Sequence, residues 1–412
     1  MSVDDFVVRE RIPLPKDMSL RDWRQALTTP PMYRVGNSTL RIQTHFVCMI
    51  AAVGLLVLIV WYTLSPPSRN HKSYLYSERY DSIPISNYIV PQTSDSYNST
   101  YPLTPAVKTA FGVTYRIGII SDLDTDSKSN SESSTWVSYF KKGHLTWDRV
   151  HHTASIKWDS DPIKLKSTFG QGGRGMELSE LVVYNGRLYA PDDRTGIVYE
   201  IDGSKAIPWV LLTNGDGRRP KGFKSEWATV KDKVLHVGGL GKEWTTPAGE
   251  LVNTDPMWTK QIQPTGQVSH HDWRSNYEKL RRAVGIEFPG YMIHECATWS
   301  NIHQKWFFLP RRQSKERYHE DTDPYQGTNL ILTTDSNFSN VEVTKVGEVI
   351  PTHGFSSFKF IPDTEDEIIV ALKSEEVPQG SATYAMIFSI KGEILLPETK
   401  IADIKYEGIE FI

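Results

Sequence analysis

Residues 177–193 read Glu-Leu-Ser-Glu-Leu-Val-Val-Tyr-Asn-Gly-Arg-Leu-Tyr-Ala-Pro-Asp-Asp. The β-type runs 181–184 and 187–189 flank Asn185-Gly186, residues that accept the positive φ of a tight hairpin turn, so the stretch predicts two antiparallel strands. An oxygen-bearing residue stands just before them, and the same form returns four times. Ser225-Glu226-Trp227 precedes ATVKDKVLHVGG, His294-Glu295-Cys296 precedes ATWSNIHQKWFFLP, Phe355-Ser356-Ser357 precedes FKFIPDTEDEIIVALKS, and Tyr406-Glu407-Gly408 precedes the terminal IEFI. From Ser179 through Glu226, Glu295 and Ser356 to Glu407 the spacings are 47, 69, 61 and 51 residues, close to one four-stranded propeller blade. The expected fold is therefore all-β, a five-bladed β-propeller over residues 106–412. Its truncated last unit is expected to pair with strands from the start of the domain, closing the ring and hiding its edges. A β-sandwich is the alternative, but it leaves a polar residue at the same point of every unit unexplained.

The chain upstream has another texture. Residues 46–64, FVCMIAAVGLLVLIVWYTL, carry no charge over 19 positions, which at about 1.5 Å per residue nearly spans a hydrocarbon core, so one transmembrane helix is expected. A cleaved signal peptide fits less well, because some 45 residues precede the segment and no small-residue cleavage site follows it. Residues 1–45 read as a short cytoplasmic tail and 65–105 as a Ser/Pro/Tyr-rich stem. Flanking Arg and Lys do not decide the orientation, but the sequons Asn98-Ser99-Thr100 and Asn337-Phe338-Ser339 favour a lumenal C-terminal body. Net charge is only -3 and aromatics are plentiful, which argues against nucleic-acid binding and against disorder. Cys48 lies in the apolar segment, leaving Cys296 as the single thiol of the large domain, so no intramolecular disulfide can brace it.

In a propeller the innermost strands converge on a central axis. Ser179, Glu226, Glu295, Ser356 and Glu407, one per unit, would aim oxygen atoms at one small volume, where three carboxylates repel unless a cation neutralises them. A donor set without His or Cys suits a hard ion, and a roomy hydroxyl–carboxylate cage suits Ca2+ better than Mg2+. A second acidic cluster, Asp122-Leu123-Asp124-Thr125-Asp126-Ser127, imitates half a calcium-binding loop but lacks the glycine and terminal glutamate that loop needs. It is instead expected at the channel mouth beside Asp192-Asp193-Arg194. Arg174, Lys242 and the pair Arg311-Arg312 stand next to the acidic motifs as phosphate-binding candidates, and Trp244 could stack on a base. Gly238–Lys242 is no phosphate loop, since Glu243 replaces the required Ser/Thr and no helix is expected after it. No HExxH, cysteine pair or G-x-S-x-G motif points to a zinc or serine hydrolase.

RGMELSELVVYNGRLYAPDDRTGIVYEI, KGFKSEWATV, VGGLGKEW, PGYMIHE, FFLPRR, PTHGFSSFKFIP and KYEGIEFI together resemble the soluble calcium-activated nucleotidase (apyrase) family over roughly residues 100–412. The resemblance implies a five-bladed propeller with a central Ca2+ that hydrolyses nucleoside di- and triphosphates. It implies metal positions at Ser179, Glu226, Glu295, Ser356 and Glu407, with Glu180 where relatives often have Asp. It also implies active-site roles for Asp122 and Asp193, one of them orienting or deprotonating the attacking water; Asp124, Arg174, Glu177, Lys242 and Arg311 are expected to contact substrate. A diphosphatase of this kind, acting on UDP or GDP and supporting glycosylation, is expected as a type II membrane protein of the Golgi or endoplasmic reticulum, with a homodimer left open. The rival reading is a non-catalytic lumenal propeller with a structural ion.

Overall fold

The computed structural model describes residues 97–412 throughout and, before them, residues 32–35, 38–41, 49 and 52–56. Most of the expected tail, membrane segment and stem therefore lies outside the described residues. Among those described, Met32–Val35 pairs with Ser38–Arg41, and no helix is long and apolar enough to cross a membrane.

Residues 107–412 form five sheets of a propeller. Four of them are four-stranded and follow the chain from the axis outward: one starts at Val182–Tyr184, one at Trp227–Lys231, one at Tyr291–Ser300 and one at His353–Phe360. The fifth is assembled from both ends of the domain. The C-terminal strand Tyr406–Phe411 lies innermost and pairs antiparallel with Gly112–Ser121, setting Ile409 opposite Ile119. The terminal IEFI is thus the closing strand, and its pairing leaves the ring no free inner edge. The hairpin around Asn185-Gly186 forms as its sequence predicts: Tyr184 faces Arg187, and both turn residues have positive φ, 50° and 72°.

Five apolar layers hold the blades, each filling the gap between two neighbours. Tyr115 and Ile117 meet Val370 and Leu372; Phe140 meets Val183 and Tyr199; Tyr184 meets Ala228 and Val237. Trp227 meets Trp306 and Phe308, and Phe307 meets Phe358. Sheets packed face to face by alternating inward residues give one continuous core around a polar axis. Cys296 is a buried free thiol in one of these layers, donating to the Leu309 carbonyl at 3.1 Å.

Two features depart from the regular blades. The blade beginning at Trp227 carries a small hairpin, Trp244–Thr245 with Leu251–Asn253, and the helix Arg274–Arg282 follows that blade. The residues just before the propeller, assigned to the stem from sequence, lie against it: Tyr97 packs on Tyr184, and the Tyr101 hydroxyl donates to Glu410.

Candidate functional site

At the channel mouth the strand ladders break in a regular way. Pairing of Tyr406–Phe411 with Gly112–Ser121 shifts register between Tyr406 and Gly408, which leaves Glu407 as a bulged residue. The ladder of His353–Phe360 shifts between Phe355 and Ser357, at Ser356, and that of Tyr291–Ser300 slips across Glu295. Ser179 and Glu226 stand just before their strands, each fixed through its own N–H, to the Pro191 and Gly238 carbonyls at 3.1 and 2.8 Å. A bulge inserts one residue and re-aims its side chain, so irregular backbone at one level of the blades turns the repeated polar residue toward the axis.

Ser179, Glu226, Ser356 and Glu407 are almost wholly withdrawn from solvent, and Glu295 is partly so, its side chain 13% exposed. Burial raises Glu226 and Glu407 well above the usual carboxylate range, with neighbouring carboxylates adding to the rise. The Ser356 Oγ is buried with no hydrogen-bond partner. Two hydroxyls, one of them the unpartnered Ser356 Oγ, and three carboxylates make an oxygen-only donor set that fits a hard divalent cation. Glu180 stands apart from this set. Its carboxylate accepts from Leu181 N–H and Ser357 Oγ at 2.8 and 2.7 Å and pairs with Lys359 at 3.2 Å.

A second group of acids lies beside the ring. Asp122 follows the strand Gly112–Ser121, its N–H on the Lys405 carbonyl, and accepts the Asp124 N–H at 2.8 Å. One carboxylate oxygen each from Asp122, Asp124 and Glu177 lie within 4.8 Å of one another. Burial pushes Glu177 up to about 7 against the pull of Arg174, which binds it at 2.5 and 2.7 Å and also reaches Asp124 at 3.2 Å. Asp193 is held through its N–H to the Glu177 carbonyl, and its Oδ1 is buried without a partner. Asp192, next in the chain, is a turn residue, accepting the N–H groups of Met176, Arg194 and Thr195.

The cations that balance these charges only partly match the sequence expectation. Arg174 is where it was expected. Arg311 is fully buried and grips Glu295, Glu407 (2.9 Å) and Glu376 (3.1 Å), so its guanidinium faces the ring carboxylates. Lys242 is paired with none of these acids: it donates to the Glu243 carbonyl at 2.8 Å and lies 4.3 Å from the centre of the Tyr318 ring. Burial lowers it to about 8. Arg281 fixes the adjoining segment by a two-pronged pair with Glu243 at 2.9 and 3.0 Å.

Three residues that the sequence reading passed over complete the network. Lys224 bridges Asp193 and Glu226, the latter at 2.8 Å. Lys405 reaches Asp124 at 2.6 Å, Asp122 at 3.1 Å and Glu407 at 3.7 Å. Burial opposes both ammonium charges, but the surrounding carboxylates outweigh it and hold both lysines well above their usual range. Glu376 is raised by burial yet more strongly lowered by Lys405, Arg311 and Arg312, and settles at about 2. A signal for the lysines exists in the sequence, since each stands two residues before a ring glutamate, as Lys-Ser-Glu and Lys-Tyr-Glu.

Fold and site together define a class: a five-bladed propeller whose axial mouth is furnished for a hard cation and a polyanion. The apyrase family model matches residues 123–412. "Soluble calcium-activated nucleotidase 1" of Rattus norvegicus is 56% identical over 316 residues, covering 77% of this chain and 78% of that protein. An "Apyrase" of Cimex lectularius is 48% identical, with 76% and 87% covered, and "Apyrase apy-1" of Caenorhabditis elegans is 48% identical, with 72% and 84% covered. The chain belongs to the apyrase family.

Proposed function

We propose that the chain is a calcium-dependent hydrolase of nucleoside diphosphates, UDP and GDP foremost, with triphosphates as further substrates. The observation that carries this reading is the convergence at one channel mouth of an oxygen-only ring with a separate set of acids interleaved with Arg174, Lys224 and Lys405. A structural ion has no need of the second set. Similarity to proteins named for calcium activation and nucleotidase activity supports the same reading.

Ser179, Glu226, Glu295, Ser356 and Glu407 would hold the calcium. Bound there, it supplies positive charge that offsets the charge developing on the phosphate oxygens. The chain's own part is to orient water and substrate. Asp193 keeps an unpartnered oxygen, whereas Asp122 is engaged by Asp124 N–H and Lys405, so Asp193 is assigned the attacking water and Asp122 its support. Water oxygen attacks the terminal phosphorus, its proton passes to the carboxylate, and the bond to the leaving phosphate oxygen breaks to give inorganic phosphate and the shortened nucleotide.

The apolar segment 46–64 and the sequons at Asn98 and Asn337, both exposed, support a membrane-anchored location with the propeller in the Golgi or endoplasmic reticulum lumen. Phosphate release from a nucleotide panel, with calcium, with chelator and with magnesium alone, tests the activity. Release is expected with calcium and little with magnesium, whose tight octahedron the ring does not match. Full activity in magnesium alone removes the calcium assignment, and no release from any nucleotide leaves a non-catalytic propeller.

A further inference from the structure

The residue two positions before each ring residue forms a second layer, and its five members are Glu177, Lys224, Ile293, Gly354 and Lys405. The layer is lopsided. Lys405, Glu177 and Lys224 come from three consecutive blades, and Asp122, Asp124, Arg174 and Asp193 are bound to them and to one another. Ile293 and Gly354 come from the other two blades and bring no charge.

A nucleoside diphosphate carries several negative charges and has to lie near Asp193 for a water to attack it. Unscreened, Asp122, Asp124, Glu177 and Asp193 would repel it. Of the cations expected at the substrate, Lys242 is committed to a carbonyl and a tyrosine ring, and Arg311 lies buried among the ring carboxylates. Arg174, 30% exposed, is held by Glu177 and Asp124, and Lys224 is likewise both part of the network and reachable, its side chain 28% exposed. An ammonium has three donors, and the two carboxylates that Lys224 touches leave one over.

We propose that Lys224 is a phosphate-contacting residue, which holds a terminal phosphate over the charged half of the channel mouth, and that Lys405, buried among four carboxylates, is a positioning residue. Each ties one acid of the reaction side to one glutamate of the ring: Asp193 to Glu226 through Lys224, and Asp122 to Glu407 through Lys405. The assignment rests on the nucleotide-hydrolase reading above. It has a consequence of definite sign. A lysine touching a ring glutamate competes with calcium for that glutamate, whereas it attracts phosphate.

The test uses the full-length chain, with Lys224→Met, Lys405→Met and Lys224→Arg. Calcium titration by calorimetry without nucleotide should show affinity unchanged or tighter in the Met variants. In Lys224→Met, KM for a nucleoside diphosphate should rise at least tenfold, and Lys224→Arg should recover most of that loss. A purely structural role predicts the opposite pattern, weaker calcium binding together with a lower melting temperature. Calcium binding tenfold weaker in the Met variants, or a KM of Lys224→Met within twofold of the unsubstituted chain, overturns the proposal. If Lys224→Met fails to fold, Lys224→Arg carries the test, a KM within about threefold supporting the assignment and a tenfold rise refuting it. If the unsubstituted chain bound calcium but released no phosphate, the functional reading would fail. Calcium titration and binding of a non-hydrolysable diphosphate analogue would still decide what the lysines do.

Discussion

The side chain of Arg311 runs through the space that a Cβ on residue 354 would occupy: a methyl added to Gly354 would overlap Arg311 Cγ and lie 2.8 Å from its carbonyl oxygen. The absent side chain at 354 is what lets the guanidinium reach Glu295 and Glu407 from the neighbouring blade. Gly354→Ala is therefore expected to destabilise by about 1–3 kcal/mol through overpacking. In a chain that also carries Arg311→Ala the part of that cost due to Cγ should vanish, while the part due to the carbonyl at 2.8 Å stays. Denaturant unfolding of the two single variants and the double variant measures the coupling, and strict additivity would show that the contact is unimportant.

Arg311 itself is the buried counter-charge of Glu295, Glu407 and Glu376. Arg311→Gln leaves those carboxylates facing one another, a loss of about 3–5 kcal/mol for a broken buried pair. Calcium should restore more stability to this variant than to the unsubstituted chain, since the stranded charge is what a cation neutralises. Melting curves with and without calcium check it; equal calcium-induced shifts in the two proteins would place Arg311 outside the ring's charge balance.

The five-fold repeat was legible because one oxygen-bearing residue recurs before each inner strand, and the apyrase motifs pointed to the same ring. The closing role of IEFI was legible as well, since a lone strand at the end of a propeller needs a partner. What the residues could not show is direction. Nothing in GGLGKEW says that the Lys242 ammonium turns back to the Glu243 carbonyl and the Tyr318 ring, because Tyr318 is far along the chain and arrives only through folding. Arg311 and Lys405 make the same point. Arg311 sits in an arginine pair that reads as a substrate contact, yet it reaches inward past Gly354, while Lys405 looks like an ordinary solvated lysine and is one of the most buried charges of the site.

Lys242 offers a prediction in pH. Its ammonium is lowered by burial to about 8, against an ordinary value of 10.5. A base whose folded-state value is depressed costs stability at pH below about 8, where both states carry the proton, and this cost fades as pH rises toward about 10.5. Lys242→Met removes the charge and keeps an apolar side chain beside Tyr318. The stability of the unsubstituted chain relative to this variant should therefore rise between pH 8 and 10.5, by at most about 3 kcal/mol. Parallel stability curves for the two proteins across that range would mean the ammonium is not desolvated.

The last prediction separates metal ring from reaction side, and follows from what each acid touches. Glu295 lies at a ladder break facing the axis, paired with Arg311. Glu295→Gln should mainly weaken calcium binding, and added calcium should recover part of the activity by mass action. Asp193 and Asp122 follow the strands Arg187–Pro191 and Gly112–Ser121, beside the ring and bridged to it by lysines. Their Asn variants keep the shape and lose the charge, so calcium affinity should stay within a few-fold. Turnover should fall by about 10² to 10⁴ where the group that orients or deprotonates water is removed. Because Asp193 alone keeps an unpartnered buried oxygen, Asp193→Asn should lose more kcat than Asp122→Asn, and excess calcium should rescue neither. Calcium titration and kcat for the three variants decide the division. Calcium loss in both Asp variants as deep as in Glu295→Gln would merge the two sets into one metal site. A smaller loss of kcat in Asp193→Asn than in Asp122→Asn would move the water to Asp122.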